Sequence, residues 1–183
     1  PYSVVKIGDY AFQNSRHLKQ ILFNKKIGKI GNGAFDDCKN LESINFDSSL
    51  HEIGEWAFHA CDKIKRIQIG VTLEKIGLYA FGSCESLESI NVEPNNAFYT
   101  SIDGNLYTKD GKILLQYAIA KPDKLFVLPD SVEIISFRAL SDAFHLEKII
   151  LSNIKLIQEK AFYYDINLRE VHFKIKPIFE GKQ

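Results

Sequence analysis

Residues 30–44 read Ile-Gly-Asn-Gly-Ala-Phe-Asp-Asp-Cys-Lys-Asn-Leu-Glu-Ser-Ile, and residues 76–90 repeat the pattern Ile-Gly-x-x-Ala-Phe-x-x-Cys-x-x-Leu-x-x-Ile in full. Units of this kind start at Ile7, Ile30, Ile53, Ile76, Ile135 and Ile157. The first four starts are 23 residues apart, and the last two are 22 apart. A fixed period of this length predicts a stack of repeats, in which each unit buries its apolar face against its neighbours.

Two places in each unit predict the core of the stack. The fifth place is always Ala, which suits close packing of one coil on the next. The sixth place forms a column of large side chains that we expect to stack inward: Phe12, Phe35, Phe58, Phe81, Leu140 and Phe162. Such a column of buried rings would be the main apolar anchor of the fold.

The second half of each unit predicts a β-strand. Apolar residues two apart, such as Ile21 and Phe23, would face inward while Leu22 faces outward. The Ile-Gly-x-x-Ala-Phe half lacks this alternation and predicts a short helical or 3₁₀ turn on the opposite side of the stack. The predicted class is therefore an α/β repeat with a parallel strand face.

The quoted pattern resembles the BspA-like branch of the leucine-rich-repeat family, from Ile7 to Phe173. The resemblance implies a right-handed solenoid forming a single domain over residues 1–183. Later units depart from the pattern, with Ser136 and Gln158 in place of Gly and with Ala143 and Asp165 in place of Cys. The chain lacks Met and opens within the pattern, so we interpret it as a fragment of a larger protein that supplies at least one cap.

The regular spacing is interrupted between Ile76 and Ile135 by an insert of about residues 94–130. Asp103-Gly104 and Asp110-Gly111 are hairpin signals flanked by apolar residues, and they predict a small embedded β-meander. Either this insert is a spacer that alters the curvature of the solenoid, or it is a binding feature on one face.

Composition and motifs argue against several functional classes. The 23 basic and 23 acidic residues balance, so no strong field favours nucleic acid. No apolar run is long enough for a membrane span. Cys38, Cys61 and Cys84 share the ninth place of their units, which predicts a buried structural ladder. Metal-ligand pairs, phosphate-binding loops and nucleophile motifs are missing from the sequence, so we expect no catalytic, cofactor or metal site and no enzyme activity.

The outward side of the strand face is the candidate partner-binding surface. It comprises Gln20, Leu22, Ser43, Asn45, Arg66, Gln68, Ser89, Asn91, Lys148, Ile150 and His172. A neighbouring column, Lys19, Glu42, Lys65 and Glu88, alternates in charge and favours pairing between strands over ligand binding. The aromatic residues Tyr10, Trp56 and Tyr79 share the fourth place, where they either form an interface or cover the core.

The family resemblance implies a non-catalytic protein-interaction or adhesion module of a surface or secreted protein. Its expected partner is a protein of a host cell, neighbouring cell or extracellular matrix, with a glycan as another partner class. The alternatives are a structural spacer that carries another domain and, less favoured, a glycan-binding or enzyme-associated domain. Because fold does not determine function, the residues themselves support only the solenoid.

Overall fold

The computed structural model describes residues 3–44, 46, 49–173 and 178–179. Within these residues the chain forms fifteen short strands and a series of turns. In chain order the strands are β1 Lys6–Ile7, β2 Lys29–Ile30, β3 Glu52–Ile53, β4 Arg66–Ile69, β5 Lys75–Ile76, β6 Ser89–Val92, β7 Tyr99–Ile102, β8 Asn105–Thr108, β9 Ile113–Gln116, β10 Leu125–Val127, β11 Ile134–Ile135, β12 Lys148–Leu151, β13 Leu156–Ile157, β14 Glu170–Phe173 and β15 Ile178–Phe179.

Parallel pairing between equivalent places builds the solenoid. The strands that start the coils pair in register, with Ile7 opposite Ile30, Ile30 opposite Ile53 and Ile53 opposite Ile76. A second set forms the predicted strand face, in which β4 pairs with β6 and the order β10-β12-β14 forms another sheet. The repeat period therefore becomes the register, because equivalent residues of successive coils lie side by side.

The prediction of helical or 3₁₀ turns, and with it the α/β class, is corrected by the structure. The described residues contain no helix. The fourth and eighth places of the units adopt positive φ, as at Trp56 (58°) and Ala60 (52°), so right-handed helical geometry cannot propagate. Alternate amides instead donate to the next coil, from Phe35 to the carbonyl of Ala57 at 2.7 Å and from Phe58 to that of Ala80 at 2.8 Å.

The sixth-place column forms the centre of the first core. Phe35 and Phe58 stack with ring centroids 5.1 Å apart, and Phe58 and Phe81 stack at 5.9 Å. Phe12 also stacks on Phe35 but remains 45% exposed, because no described coil covers its other side. A second core surrounds Leu140 and takes in the later coils.

The other shared places serve close packing between coils. A Cβ atom added at Gly77 would lie 2.3 Å from the backbone nitrogen of Glu55 in the preceding coil, so glycine at position 77 permits this close approach. The buried cysteines form a ladder in which each thiol donates to the sixth-place carbonyl of the preceding coil. The Sγ of Cys61, for example, lies 3.3 Å from the carbonyl oxygen of Phe35.

The interrupted stretch contains both a hairpin and a further coil. Strands β7, β8 and β9 pair antiparallel in sequence, which gives a meander at the hairpin signals. However, β9 also pairs parallel with β11, with Leu114 opposite Ile135. Ala118 then takes the place of the repeat alanine and is fully buried. Leu114 therefore starts a seventh coil. This coil was predicted as part of the insert, because the second and sixth places of the repeat carry residues other than Gly and Phe there.

Candidate interaction surface

The first part of the strand face presents polar side chains to solvent. In the β4–β6 sheet Arg66 lies opposite Ser89 and Gln68 opposite Asn91, while Ile67 and Ile90 between them are buried. Gln20 and Ser43 continue this surface through an isolated parallel bridge. Leu22 is 84% exposed beside them. Asn45 lies outside the described residues. We call this surface the polar patch: Gln20, Leu22, Ser43, Arg66, Gln68, Ser89 and Asn91.

The second part of the strand face is different in character. Val127 pairs with Ile150 and Leu125 pairs with Lys148, so three outward apolar side chains lie together. Leu125 and Val127 are 47% and 54% exposed. We call Leu125, Val127 and Ile150 the apolar strip. Two of its three members were not predicted, because residues 125 and 127 belong to the coil that was assigned to the insert.

Charged residues border the apolar strip, and they are paired. Lys148 Nζ lies 2.7 Å from Glu170 Oε2, and His172 Nε2 lies 3.0 Å from the same oxygen. The hydrogen bond from Lys148, followed by its charge, lowers the pKa of Glu170. Since these side chains satisfy one another at the surface, their pairing maintains register more than stability.

The hairpin separates the polar patch from the apolar strip. The amide of Ile90 donates to the carbonyl of Gly104 at 2.8 Å, and the amide of Val92 donates to Ser101 Oγ at 3.2 Å. The hairpin therefore occupies the edge of β6 where the next strand of the face would pair. Consequently, the predicted surface residues fall into two groups, and the structure does not place Arg66 and Lys148 in one continuous sheet.

Charge alternation is strongest in the coil-start sheet, a place that the sequence analysis did not single out. Glu52 lies between Lys29 and Lys75 at 2.8 and 3.0 Å, and hydrogen bonds from these lysines lower its pKa. In the predicted column of Lys19, Glu42, Lys65 and Glu88, the described contact is instead made by Arg66, whose guanidinium is 4.0 Å from Glu88. Cross-coil pairs thus occur both at the coil starts and at the strand face, where Lys124 lies 2.8 Å from Glu147.

The fourth-place aromatic residues cover the junction between the two cores. Trp56 and Tyr79 pack edge to face with centroids 4.8 Å apart, and Tyr79 is only 4% exposed. Its hydroxyl donates to Asp142 Oδ2 at 2.7 Å, and burial raises its pKa to about 12. Arg138, also at a fourth place, lies 5.1 Å from the Tyr79 ring and 4.4 Å from the Tyr163 ring. For Tyr79 the structure supports the covering role, whereas Tyr10 is exposed.

Two kinds of feature bear on possible chemistry: the cysteine thiols and the cavities. Burial raises the pKa values of all three cysteine thiols, which disfavours the reactive thiolate. The cavity beside the insert holds about 40 Å³. A groove of about 550 Å³ at the first coil is lined mostly by apolar residues, with Lys6 as its charged member. The described residues contain no cluster of three or more candidate metal ligands.

Asp165 is the most perturbed carboxyl group described. Burial raises its pKa to about 7, although Oδ1 accepts a hydrogen bond from the amide of Ala143 at 2.9 Å. Its other oxygen is buried without a hydrogen-bond partner. Asp165 stands at the ninth place, where earlier units carry Cys, so its environment is a core position and it lies in no described cavity.

The register, the buried Phe column and the parallel strands define a solenoid of stacked leucine-rich repeats. The sequence model of the family described as BspA type leucine rich repeat region matches residues 1–112 and 123–180 in six copies. The chain belongs to this family. The unmatched residues 113–122 coincide with the start of the seventh coil. None of the curated proteins matches the chain. In the described residues, no helix is long and apolar enough to cross a membrane.

Solved structures of bacterial repeat proteins share the fold. The pneumococcal vaccine antigen PcpA is similar with a TM-score of 0.88 and 27% identity, over 95% of this chain and 43% of that one. A leucine-rich repeat protein from Eubacterium ventriosum is similar with a TM-score of 0.78 and 25% identity, over 96% and 53%. The T. pallidum protein TpLRR gives 0.53 and 25%, over 97% and 67%. The chain thus spans about half the length of the first two proteins.

Proposed function

We propose that this domain is a non-catalytic recognition module that binds a protein partner through its strand face and serves adhesion at a cell surface. The observation that carries the proposal is the polar patch, where hydrogen-bonding side chains stand outward on and beside the parallel β4–β6 sheet. A partner approaching this patch meets side chains with both donors and acceptors and with little net charge. Such side chains can form the direct hydrogen bonds that protein–protein interfaces contain.

The relatives support a surface location. PcpA is described as a vaccine antigen, and its similarity covers nearly the whole of this chain. We extend to this chain a location at the cell surface or outside the cell, and a partner protein of a host cell, neighbouring cell or extracellular matrix. Nucleic acid is disfavoured by the balanced charge, and a glycan is the second partner class to test.

The test is binding of the labelled chain to arrays of extracellular-matrix proteins and glycans at physiological salt. We expect saturable binding that is at least tenfold weaker in the variant Arg66→Glu with Asn91→Lys. A matched control, Lys63→Glu with Asn95→Lys, makes the same net change in charge at exposed residues outside the polar patch. Binding to no array member would favour the spacer function, and equal losses in both variants would contradict recognition by the polar patch.

A further inference from the structure

The middle of the strand face contains an unpaired strand edge. The order β10-β12-β14 leaves β10 at the side of the sheet that faces the insert. In the described part of the chain, β10 pairs with β12 and with no other strand. In a regular stack the strand of the preceding coil, β6, would lie there. That strand instead meets the hairpin through the bond from Ile90 to Gly104.

Backbone geometry identifies which groups are unpaired. The amide of Lys148 donates to the carbonyl of Lys124 at 2.9 Å, and the amide of Leu128 donates to the carbonyl of Ile150 at 3.0 Å. Because successive residues of a strand direct their hydrogen-bonding groups to opposite edges, those of Leu125 and Val127 point away from β12. Among the described hydrogen bonds, none involves the amide or carbonyl of these two residues.

The side chains at this edge are also unusual for an unpaired strand. Exposed edges are commonly protected by charged residues, whereas β10 directs Leu125 and Val127 outward. Two lysines that flank or pair with β10 are themselves paired, with Lys124 2.8 Å from Glu147 and Lys148 2.7 Å from Glu170. An electrically neutral, apolar segment is therefore the electrostatically matched occupant of this edge.

We infer that β10 binds an extended segment of a partner protein by strand addition. The segment has no net charge and consists mainly of apolar residues. Its backbone pairs with Leu125 and Val127, and its outward apolar side chains extend the apolar strip. This inference rests on the proposed recognition function and names the surface and the kind of segment that it would take. The edge is three residues long, so the contact is one short element of a larger interface.

The probe is a fluorescein-labelled peptide with the sequence of residues 146–152, Leu-Glu-Lys-Ile-Ile-Leu-Ser, acetylated at one end and amidated at the other. This segment already pairs with the opposite edge of β10 in parallel register and has balanced charge. We expect saturable binding to the full chain by fluorescence anisotropy. Hydrogen exchange should show that the amides of Leu125 and Val127 become protected when the peptide is bound.

Two comparisons test whether backbone pairing carries the binding. Leu125→Lys with Val127→Lys should weaken binding at least tenfold, while Gln68→Lys with Asn91→Lys on the polar patch should change it less than twofold. Two isomers of the peptide, N-methylated at alternate sets of amides, should differ, because only one set faces β10. The isomers are tested on the unmodified chain. They therefore test backbone pairing at β10 even if circular dichroism shows that the Leu125 and Val127 variant is unfolded.

The inference is overturned if the peptide does not saturate, if both N-methylated isomers bind equally, or if protection appears at β14 instead of β10. Its failure is separable from that of the proposed function. Array binding that depends on Arg66 and Asn91, without peptide binding at β10, would leave the recognition function standing and remove only this edge. Peptide binding at β10 without binding to any array member would support the edge as a binding site and count against recognition through the polar patch.

Discussion

Truncation of the buried Phe column should cost stability in proportion to how many coils surround each ring. Phe58 is fully buried, stacks on Phe35 at 5.1 Å and on Phe81 at 5.9 Å, and contacts the edge of Phe46 at 5.6 Å. Replacing such a residue by Ala removes its transfer free energy and leaves a cavity, so Phe58→Ala should cost about 4 to 5 kcal/mol. Little relaxation is expected, because coils on both sides hold the cavity open.

Phe12→Ala is the matched control, since it is the same substitution at the same place of another unit. Phe12 is 45% exposed and, among the described residues, stacks on Phe35 alone. About half of the transfer free energy, roughly 1 kcal/mol, together with roughly 1 kcal/mol for one ring pair, gives a loss of about 2 kcal/mol. The exposed Lys65→Ala should change stability by less than about 0.5 kcal/mol.

Urea unfolding monitored by the fluorescence of Trp56 provides the measurement, because this sole tryptophan lies two residues from Phe58 and packs against Tyr79. We expect the order of losses Phe58, then Phe12, then Lys65. Equal losses for Phe58→Ala and Phe12→Ala would refute the reasoning that neighbouring coils determine the depth of burial. A large loss for Lys65→Ala would refute the assignment of inward and outward faces.

Three further predictions follow from local geometry. Gly77→Ala should destabilise the chain by about 1 to 3 kcal/mol, because its Cβ meets the backbone of Glu55, whereas Gly8→Ala, with nothing within 4 Å, should be neutral by urea titration. Burial raises the pKa of Asp165 to about 7, so the folded state binds more protons than the unfolded state, and stability should fall as pH rises from about 4 to about 7. Asp165→Asn should flatten that slope in urea titrations at several pH values, and an unchanged slope would exclude this carboxyl as its source. The thiol of Cys61 is buried and hydrogen-bonded, so it should react with a thiol reagent only as fast as the chain opens, and immediate labelling would contradict the ladder.

The pairing of coils was accessible to sequence reasoning because it repeats. Once Ile30 and Ile53 are recognised as equivalent, a parallel register follows, and the Phe and Cys columns follow with it. The turns were not accessible in the same way. Their positive φ values fall on Trp56, Ala60 and Tyr79, and these residue types rarely adopt a left-handed conformation. Hydrogen bonds to the next coil hold these residues in place, and only the assembled stack contains those bonds.

The candidate surface was predicted in its composition but not in its continuity. Alternation along each strand indicated correctly that residues such as Arg66 and Gln68 face outward. The division into a polar patch and an apolar strip depends on where the hairpin lies against β6 and on the seventh coil, whose repeat residues are replaced. Whether either surface binds a partner stays a prediction for the experiments above.

The period, the inward columns and the parallel register follow from the order of the amino acids alone. Each repeat must present the same residues to its neighbours for a stack to bury its apolar faces. Three features arise only in the folded chain: the alternating turn conformation, the unpaired edge at β10 and the junction at which Arg138 meets Tyr79. The turns depend on hydrogen bonds between neighbouring coils and the edge on where the hairpin lies, whereas the junction depends on contacts between residues about sixty positions apart, such as Tyr79 and Asp142. The contacts at the junction do not recur at the repeat period, so the repeat pattern cannot predict them.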